Sequence, residues 1–458
     1  MRTGCVLLDT AKLQGDFMDK LQMIALEKMF AGKNVFLSGT GGTGKSAVIR
    51  IFLENSPKNI VCVAPTGLAA LNLPEAMTIH SFFKFPIDKI MLDVNDVLTD
   101  THLAEILHST DCIVIDEISM VRADIFNAVN LSMKANGDAP DKPFGGKQII
   151  VVGDFLQLSP VVTNEAVSTV LYERFGGVYA FNTNAWKEAD FCSIYLDKVH
   201  RQRDPEWVAY LEMIRHRSPG VKKLLETNPI PVRDTPGHGI TLCCRKADAE
   251  KINKDGMSKL STPGIISTGE TKGIFPEYEL PVPSLLTLKS GCRVMVVCNG
   301  KRQKMPGYWY YEYVNGEIGT VYGFDRDIVC LKMDNGRHIK VKKSHWSNIA
   351  YELGKDENGK SIVISKEIGS YMQFPLIPGW AMSIHKAQGQ TINCRTHLCL
   401  GQGCFAPGQL YTALSRVQKF DDLSVDRPIR YADIIVDSMV LDFLYETFPD
   451  QFIFSDMG

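Results

Sequence analysis

The segment GTGGTGKS at residues 39–46 constrains this chain more than any other. It satisfies the pattern GxxxxGK[ST], directly after an apolar run at residues 34–38 and directly before a segment of helical period. A glycine-rich loop in that setting wraps so that its N–H groups point at phosphate oxygens, and the following helix adds the positive end of its dipole. Gly39, Thr40, Gly41, Gly42, Thr43, Gly44, Lys45 and Ser46 are therefore expected to cradle the phosphates of a nucleoside triphosphate. In such a loop Lys45 neutralises the β- and γ-phosphates and Ser46 ligates Mg2+. Further strand-length apolar runs at residues 59–64, 111–116 and 148–153 alternate with helical patterns. That alternation predicts an α/β fold, a parallel sheet with helices on both faces.

The run at 111–116 ends in Asp116 and Glu117. Downstream of a phosphate loop, Asp116 is placed to hold Mg2+ and Glu117 to polarise an attacking water, which points to hydrolysis rather than mere binding. The run at 148–153 leads into GDFLQ, where Gln157 is a neutral group able to feel a γ-phosphate or align the water. Arg201, in VHRQ, and Arg416, in GQLYTALSRV, are guanidinium groups that another domain can deliver to the transferred phosphoryl. Spacing alone does not show that they reach it.

At 458 residues the chain has room for roughly two to four domains. With 45% hydrophobic and 22% charged residues it reads as an ordinary globular protein. A net charge of −2 excludes a globally basic coat but leaves room for a local basic groove. Twelve cysteines include no CxxC pair, and Cys394, Cys399 and Cys404 are too evenly spaced for a usual zinc site. Buried, reduced thiols are the better reading. No apolar stretch approaches the ~20 residues of a membrane span, and the opening residues, with a short apolar run and an early Asp, are not expected to act as a secretory signal. Between residues 284 and 370 short runs are punctuated by turn signals at Asn299-Gly300, Asn315-Gly316 and Asp334-Asn335-Gly336, predicting a small antiparallel β insertion. DENGK at 356–360 is expected at an exposed hairpin tip.

Taken in order, the motifs GTGGTGKS, APTGLAA (64–70), TIHSF (78–82), IDEISMV (115–121), KPFGGKQIIVVGDFLQLSPV (142–161), VHRQ, WAMSIHKAQGQT (380–391) and GQLYTALSRV (408–417) resemble those of superfamily-one helicases. The resemblance is to the Pif/RecD/Dda branch, most closely the Pif family of 5′-to-3′ DNA helicases, and spans residues 22–417. Motif three reads QLSP where QLPP is frequent.

The resemblance implies two tandem RecA-like P-loop domains. The first would occupy residues 1–192 with a wedge insertion at about 83–107, and the second residues 193–283 and 371–458 around an SH3-like insertion at 284–370. It implies that Gln22 reads the adenine of ATP and that a single strand crosses both domains. Pro65, Thr66, Thr78, His80 and Phe82 would hold it on one side, and Ser383, His385, Lys386, Gln388 and Gly389 on the other. Hydroxyl and amide donors suit such a phosphate track because they grip without reading sequence. Phe83 and Phe85 read equally as stacking surfaces or core. Basic clusters at Lys301-Arg302-Lys304 and Lys340-Lys342-Lys343 are either solvated faces or flanks of a groove.

The expected activity is ATP-dependent, Mg2+-requiring unwinding of DNA in replication, recombination or repair. The expected partners are single-stranded DNA, single/double-strand junctions and a single-strand-binding protein. A monomer is expected, resembling a compact bacterial, phage or viral helicase core. Its place would be the cytoplasm or whichever compartment holds the DNA. An RNA-directed helicase and a nucleic-acid-stimulated loading switch without unwinding are the alternatives.

Overall fold

The computed structural model describes residues 18–451, apart from 87–88, 98, 163, 235–238, 306–307, 314, 356–360, 391 and 393. The hairpin tip expected at 356–360 therefore lies outside the described residues.

The apolar runs of the N-terminal half become β1 (Val35–Gly39), β2 (Ile60–Ala64), β3 (Met77–Thr78), β4 (Cys112–Ile115), β5 (Gln148–Val152) and β6 (Cys192–Leu196). They pair in parallel in the order β3-β2-β4-β5-β1-β6. Period-two alternation splits the apolar side chains between two cores. Val35 and Leu37 face helices Lys20–Phe30 and Lys45–Asn55, with Met29, Val48 and Phe52 beneath them. Phe36 faces the opposite core with Phe126, Phe155 and Trp186. The order places β5 between β1 and β4. The phosphate loop, the Asp116-Glu117 pair and the Gln157 loop thus leave the sheet side by side at its carboxyl edge, where ligands of open α/β sheets bind.

The second half is assembled from more distant pieces. After β7 (Ile240–Cys243) come β8 (Gly264–Thr268), β9 (Glu270–Gly273), β10 (Leu285–Lys289), β11 (Arg293–Val296), β12 (Gly300–Met305) and β13 (Tyr308–Tyr313). They are followed by β14 (Ile318–Asp325), β15 (Ile328–Met333), β16 (His338–Lys342), β17 (Ser344–Lys355), β18 (Ser361–Gln373) and β19 (Leu376–Pro378). The chain then returns as β20 (Ala381–Ser383), β21 (Thr396–Cys399) and β22 (Leu423–Val425). A second parallel sheet runs β20-β7-β21-β22, and an antiparallel sheet runs β16-β15-β14-β11-β19. The expected turn at Asp334-Asn335-Gly336 joins β15 to β16, with Gly336 at φ +85°. Asn299-Gly300 makes no turn. Gly300 opens β12, and a Cβ there would meet the Tyr313 ring at 2.3 Å.

Four boundaries differ from expectation. β6 pairs with β1, so the first lobe extends past residue 192. β8 pairs with β10 and β9 with β18, so the insertion begins near 264 rather than 284. β19 pairs with β11, so it ends near 378 rather than 370. The C-terminal helix Ser438–Thr447 leaves the second lobe altogether. Phe443 stacks on Phe181 at 4.1 Å and 3°, and Phe448 lies 5.7 Å from Phe36, so this end closes the core of the first lobe. Backbone pairing and aromatic burial across hundreds of residues decide these limits, and local texture does not report them.

The described residues of 83–107, where a wedge insertion is expected, pack against the first lobe and include the short helical turn Val94–Asp96 and most of helix Thr101–Ser109. Phe83, Phe85, Met91 and Val97 are buried in the first-lobe core, ahead of helix Thr101–Ser109. The β17–β18 hairpin leans on that helix. Its Tyr351 is buried against Phe82, donates its hydroxyl hydrogen to the Glu75 carbonyl and accepts the Cys62 amide at 3.4 Å. The insertion is thereby latched to the first lobe.

Candidate active site

The phosphate loop closes on itself. Gly42 and Gly44 sit at φ +88° and +86°, where only glycine is unstrained, and a Cβ at Gly42 would come within 2.5 Å of Arg201 Cβ. Lys45 Nζ donates to the carbonyls of Gly39 (2.6 Å) and Thr40 (3.1 Å). Burial lowers its pKa to about 8, opposed by the charges of Asp154 and Glu117. Ser46 and Gly41–Lys45 line a cleft of about 920 Å³ shared with Asp116, Glu117, Gln157, Arg201 and Arg416. Thr40 turns its hydroxyl away, donating to Glu212 at 3.0 Å, so it belongs to the frame of the loop.

Asp116 is 6% exposed, and its Oδ1 accepts the Glu117 amide at 2.9 Å. Burial first, then the neighbouring Glu117 charge, pushes its carboxyl up to about 7. Glu117 itself stands at φ +50°, a left-handed conformation that costs on the order of 1–3 kcal/mol for a side-chain-bearing residue and concentrates at functional sites. Among the described residues no three His, Cys, Asp or Glu side chains gather as a metal cage. One hydroxyl (Ser46) and one carboxylate (Asp116) in a single cleft are instead the oxygen donors Mg2+ takes when phosphates complete its shell.

The second lobe reaches into this cleft. Arg416 is buried, donating through Nη2 to Gln157 Oε1 (2.9 Å), through Nε to the Thr412 carbonyl (3.1 Å) and through Nη1 to the Gln390 carbonyl (3.2 Å). Arg201 donates to the Ser415 carbonyl at 3.2 Å, and burial, helped by Arg416, lowers its pKa to about 9. Two guanidinium groups crowded out of water are poised to gain most from an anion. Tyr411 OH accepts the Gly41 amide at 3.0 Å. Gln22, also buried, donates to the Thr43 carbonyl at 3.1 Å while its Oε1 accepts the Asp19 amide, so it is the capping-box residue of its helix as well as a neighbour of the loop.

The residues expected on a strand-binding track divide. Thr66 is exposed and Pro65 half-buried beyond β2, and the Thr66 hydroxyl caps helix Gly67–Ala70. Thr78 caps helix Ile79–Phe83, and Ser383 caps helix Ile384–Ala387 beyond β20. His80 and His385 are half-buried, and burial lowers the pKa of each. Lys386 is exposed. Phe82 does not belong with them: it is buried against Phe83 and Tyr351, and a ring in that core cannot stack on a base. Phe83 and Phe85 are core for the same reason. Gln388 donates to Glu117 Oε2 at 3.1 Å, and Glu117 and Gly389 both line the nucleotide cleft. Lys340 and Lys342 are exposed on β16 and Lys343 pairs with Glu270 at 2.8 Å. The side chains of residues 301–304 lie outside the described set.

Sequence reasoning passed over several groups. Asp154, Tyr411 and Arg215 knit the cleft together, although Asp154 and Tyr411 stood inside quoted motifs. Glu279 comes from the short helical turn Glu277–Glu279 of the insertion, and its carboxylate accepts from Thr78 (3.2 Å) and Ser81. A signal did exist for the pairing of the two sides: Thr78-Ile-His80 and Ser383-Ile-His385 share a hydroxyl residue followed by Ile-His, each at the carboxyl end of an edge strand beginning a short helix.

The chain is similar to known proteins over most of its length. The family model described as PIF1-like helicase matches residues 16–213. A protein of Bdellovibrio bacteriovorus, ATP-dependent DNA helicase Pif1, is 31% identical over 92% of this chain and 90% of its own length. The solved structure of Bacteroides sp Pif1 in complex with ADP-AlF4 is 32% identical, covering 94% of this chain and 97% of that one, with a TM-score of 0.81. Bacteroides Pif1 bound to ssDNA covers the same shares at 32% identity and a TM-score of 0.66.

Proposed function

This chain belongs to the PIF1-like helicase family, and on that premise we infer that it is an ATP-dependent DNA helicase that walks 5′ to 3′ along a single strand and parts duplex ahead of it. The observation that carries the reading is the 2.9 Å contact between Arg416 and Gln157, which joins the two lobes over the phosphate loop.

ATP enters between the lobes. Lys45 exchanges its two carbonyl partners for phosphate oxygens, and Arg201 and Arg416, held short of water, take up the charge that builds on the transferred group. Gln157 and Glu117 lie where an attacking water can be aligned and polarised. Gln388, bonded to Glu117 across the cleft, reports the state of that carboxylate to the second lobe. Mg2+, held by Ser46 and Asp116, would supply Lewis-acid screening of the phosphates. Hydrolysis removes the anion that Lys45, Arg201 and Arg416 share, so the attraction between lobes falls.

The strand is gripped by hydroxyl-capped helices on both sides: Thr66 and Thr78 with His80 on one, Ser383 with His385 and Lys386 on the other. Alternating grip with each cycle moves the strand one way. Single-stranded DNA and forked junctions are the proposed partners, as they are in solved relatives, along with a single-strand-binding protein, and the working unit is proposed to be a monomer. Glu279 occupies Thr78 and Ser81, where a phosphate would sit. The overall arrangement fits the strand-free structures, unliganded or with ADP-AlF4, better than the strand-bound form. Strand entry therefore requires the insertion to withdraw that carboxylate.

The test is unwinding of duplexes with 5′ or 3′ tails, in DNA and in RNA, with and without ATP, alongside phosphate release. The reading requires ATP-dependent opening of 5′-tailed DNA and faster release when single-stranded DNA is added. Phosphate release indifferent to DNA refutes it.

A further inference from the structure

We propose that Arg215 is a positioning residue of the hydrolytic site. It fixes Asp154, and through Asp154 the carboxamide of Gln157 that meets Arg416. The proposal rests on the nucleotide-site reading above and extends it to a residue outside the cleft.

Arg215 lies in helix Pro205–His216 with no exposed side-chain surface, and neither has Asp154. Its Nη2 donates to Asp154 Oδ1 at 2.7 Å, and its Nη1 donates to Tyr195 OH at 2.8 Å. The guanidinium carbon is 5.7 Å from the centre of the Tyr195 ring and 5.6 Å from that of Tyr411. Asp154 passes this anchorage on. Its Oδ1 also accepts the Leu156 amide (3.1 Å), its Oδ2 accepts Gln157 Nε2 (3.4 Å), and its carbonyl accepts the Gln157 amide (2.9 Å). Gln157 Oε1 then accepts from Arg416 at 2.9 Å. The same helix holds the phosphate loop, because Glu212 accepts from the Thr40 hydroxyl at 3.0 Å. One helix therefore sets the register between the phosphate loop and the Gln157 loop.

An ion pair with no exposure at all is a poor device for stability alone, since apolar residues of similar volume fill such space at least as well. What it supplies is geometry. Asp154 and Gln157 line the 920 Å³ cleft whereas Arg215 does not, so Arg215 acts on the nucleotide through neighbours: Asp154 and Gln157 on one side, and on the other Glu212 (3.6 Å) and Tyr195, both bonded to Thr40 of the phosphate loop. Removing it leaves the Asp154 carboxylate buried without its partner and frees the loop to choose other bonds. A shift of about 1 Å in an aligning group costs on the order of 10²-fold in rate.

The experiment is a double-mutant cycle of Arg215→Met and Asp154→Asn, read as kcat and KM for DNA-stimulated ATP hydrolysis, with melting temperature recorded for each variant. Arg215→Met is expected to lower kcat about 10²-fold while leaving KM for ATP nearly unmoved, and to melt earlier. In the Asp154→Asn background the same substitution is expected to cost much less of kcat than in the wild type, because the route through Asp154 is gone and only the one through Glu212 and Tyr195 to Thr40 is left. Arg215→Lys is expected to recover part of kcat, since an ammonium keeps the charge but not the fork that meets Asp154 and Tyr195 together.

Losses that multiply in the double variant, or a melt-compromised Arg215→Met whose KM rises with kcat intact, overturn the proposal. Should Arg215→Met fail to fold, the cycle is run with Arg215→Lys and read by the same criteria. An inactive wild-type protein would refute the nucleotide site itself, an outcome distinct from an additive cycle in an active one.

Discussion

Replacing Asp116 by Asn should make the nucleotide-free protein more stable at alkaline pH while ending hydrolysis. Asn has the same shape and can still accept the Glu117 amide, so what is removed is the charge. In the folded state burial and the Glu117 charge raise the Asp116 carboxyl from 3.8 to about 7. A raised carboxyl binds its proton more tightly folded than unfolded, so stability falls as pH climbs through that window. At ~1.36 kcal/mol per pH unit the full displacement corresponds to about 4 kcal/mol. Below about pH 4 both forms are neutral at this position and the two proteins should unfold alike in urea. Above about pH 7 the Asn variant should be the more stable, by up to that amount. Calorimetry gives a second readout. Near pH 6.5 the wild type should release about 0.75 of a proton more than Asp116→Asn on binding Mg2+ and ADP, seen by repeating the titration in buffers of different ionisation heat. Parallel stability curves for the two proteins between pH 4 and 8 would refute the reasoning, because they would show that the buried carboxyl is not perturbed.

Three further outcomes are expected. Arg416→Ala should lower turnover by about 10³-fold or more while nucleotide still binds, measured by single-turnover hydrolysis with a parallel binding titration; lost binding with normal turnover per bound ATP would remove Arg416 from the chemistry. Glu279→Gln should tighten binding of a single-stranded oligonucleotide in a fluorescence-anisotropy titration, since the carboxylate no longer competes at Thr78 and Ser81; unchanged or weaker affinity would place the strand elsewhere. Phe443→Ala should cost about 3 kcal/mol of first-lobe stability in urea, because the ring packs on Phe36, Phe155, Phe181 and Trp186; a loss under about 0.5 kcal/mol would show that the C-terminal helix merely rests on the surface.

Much of this molecule could be read from its chain because the relevant physics is local. A phosphate loop needs glycines at fixed spacing, a strand before it and a helix after it, so Gly39 to Ser46 announce both the site and the α/β class. Asp116-Glu117 directly follows the apolar strand β4 and Gln157 stands in the loop just beyond β5, so each could be singled out from its local setting. The aromatic Phe82 misled because a ring beside a track motif looks alike whether it faces a base or the core, and only the arrival of Tyr351 from the insertion decided which. Gln388 misled likewise, since its partner Glu117 comes from the other lobe.

The residues by themselves determined the chemistry and the strands that carry it, because periodicity and backbone conformation are properties of neighbours in the chain. Tertiary structure alone decided who meets whom. It brought Arg416 to Gln157, Arg215 to Asp154, Glu279 to Thr78, and the last helix home to the first lobe. Those meetings depend on burial and charge pairing between segments far apart in the chain, and no local pattern encodes a distance across the fold.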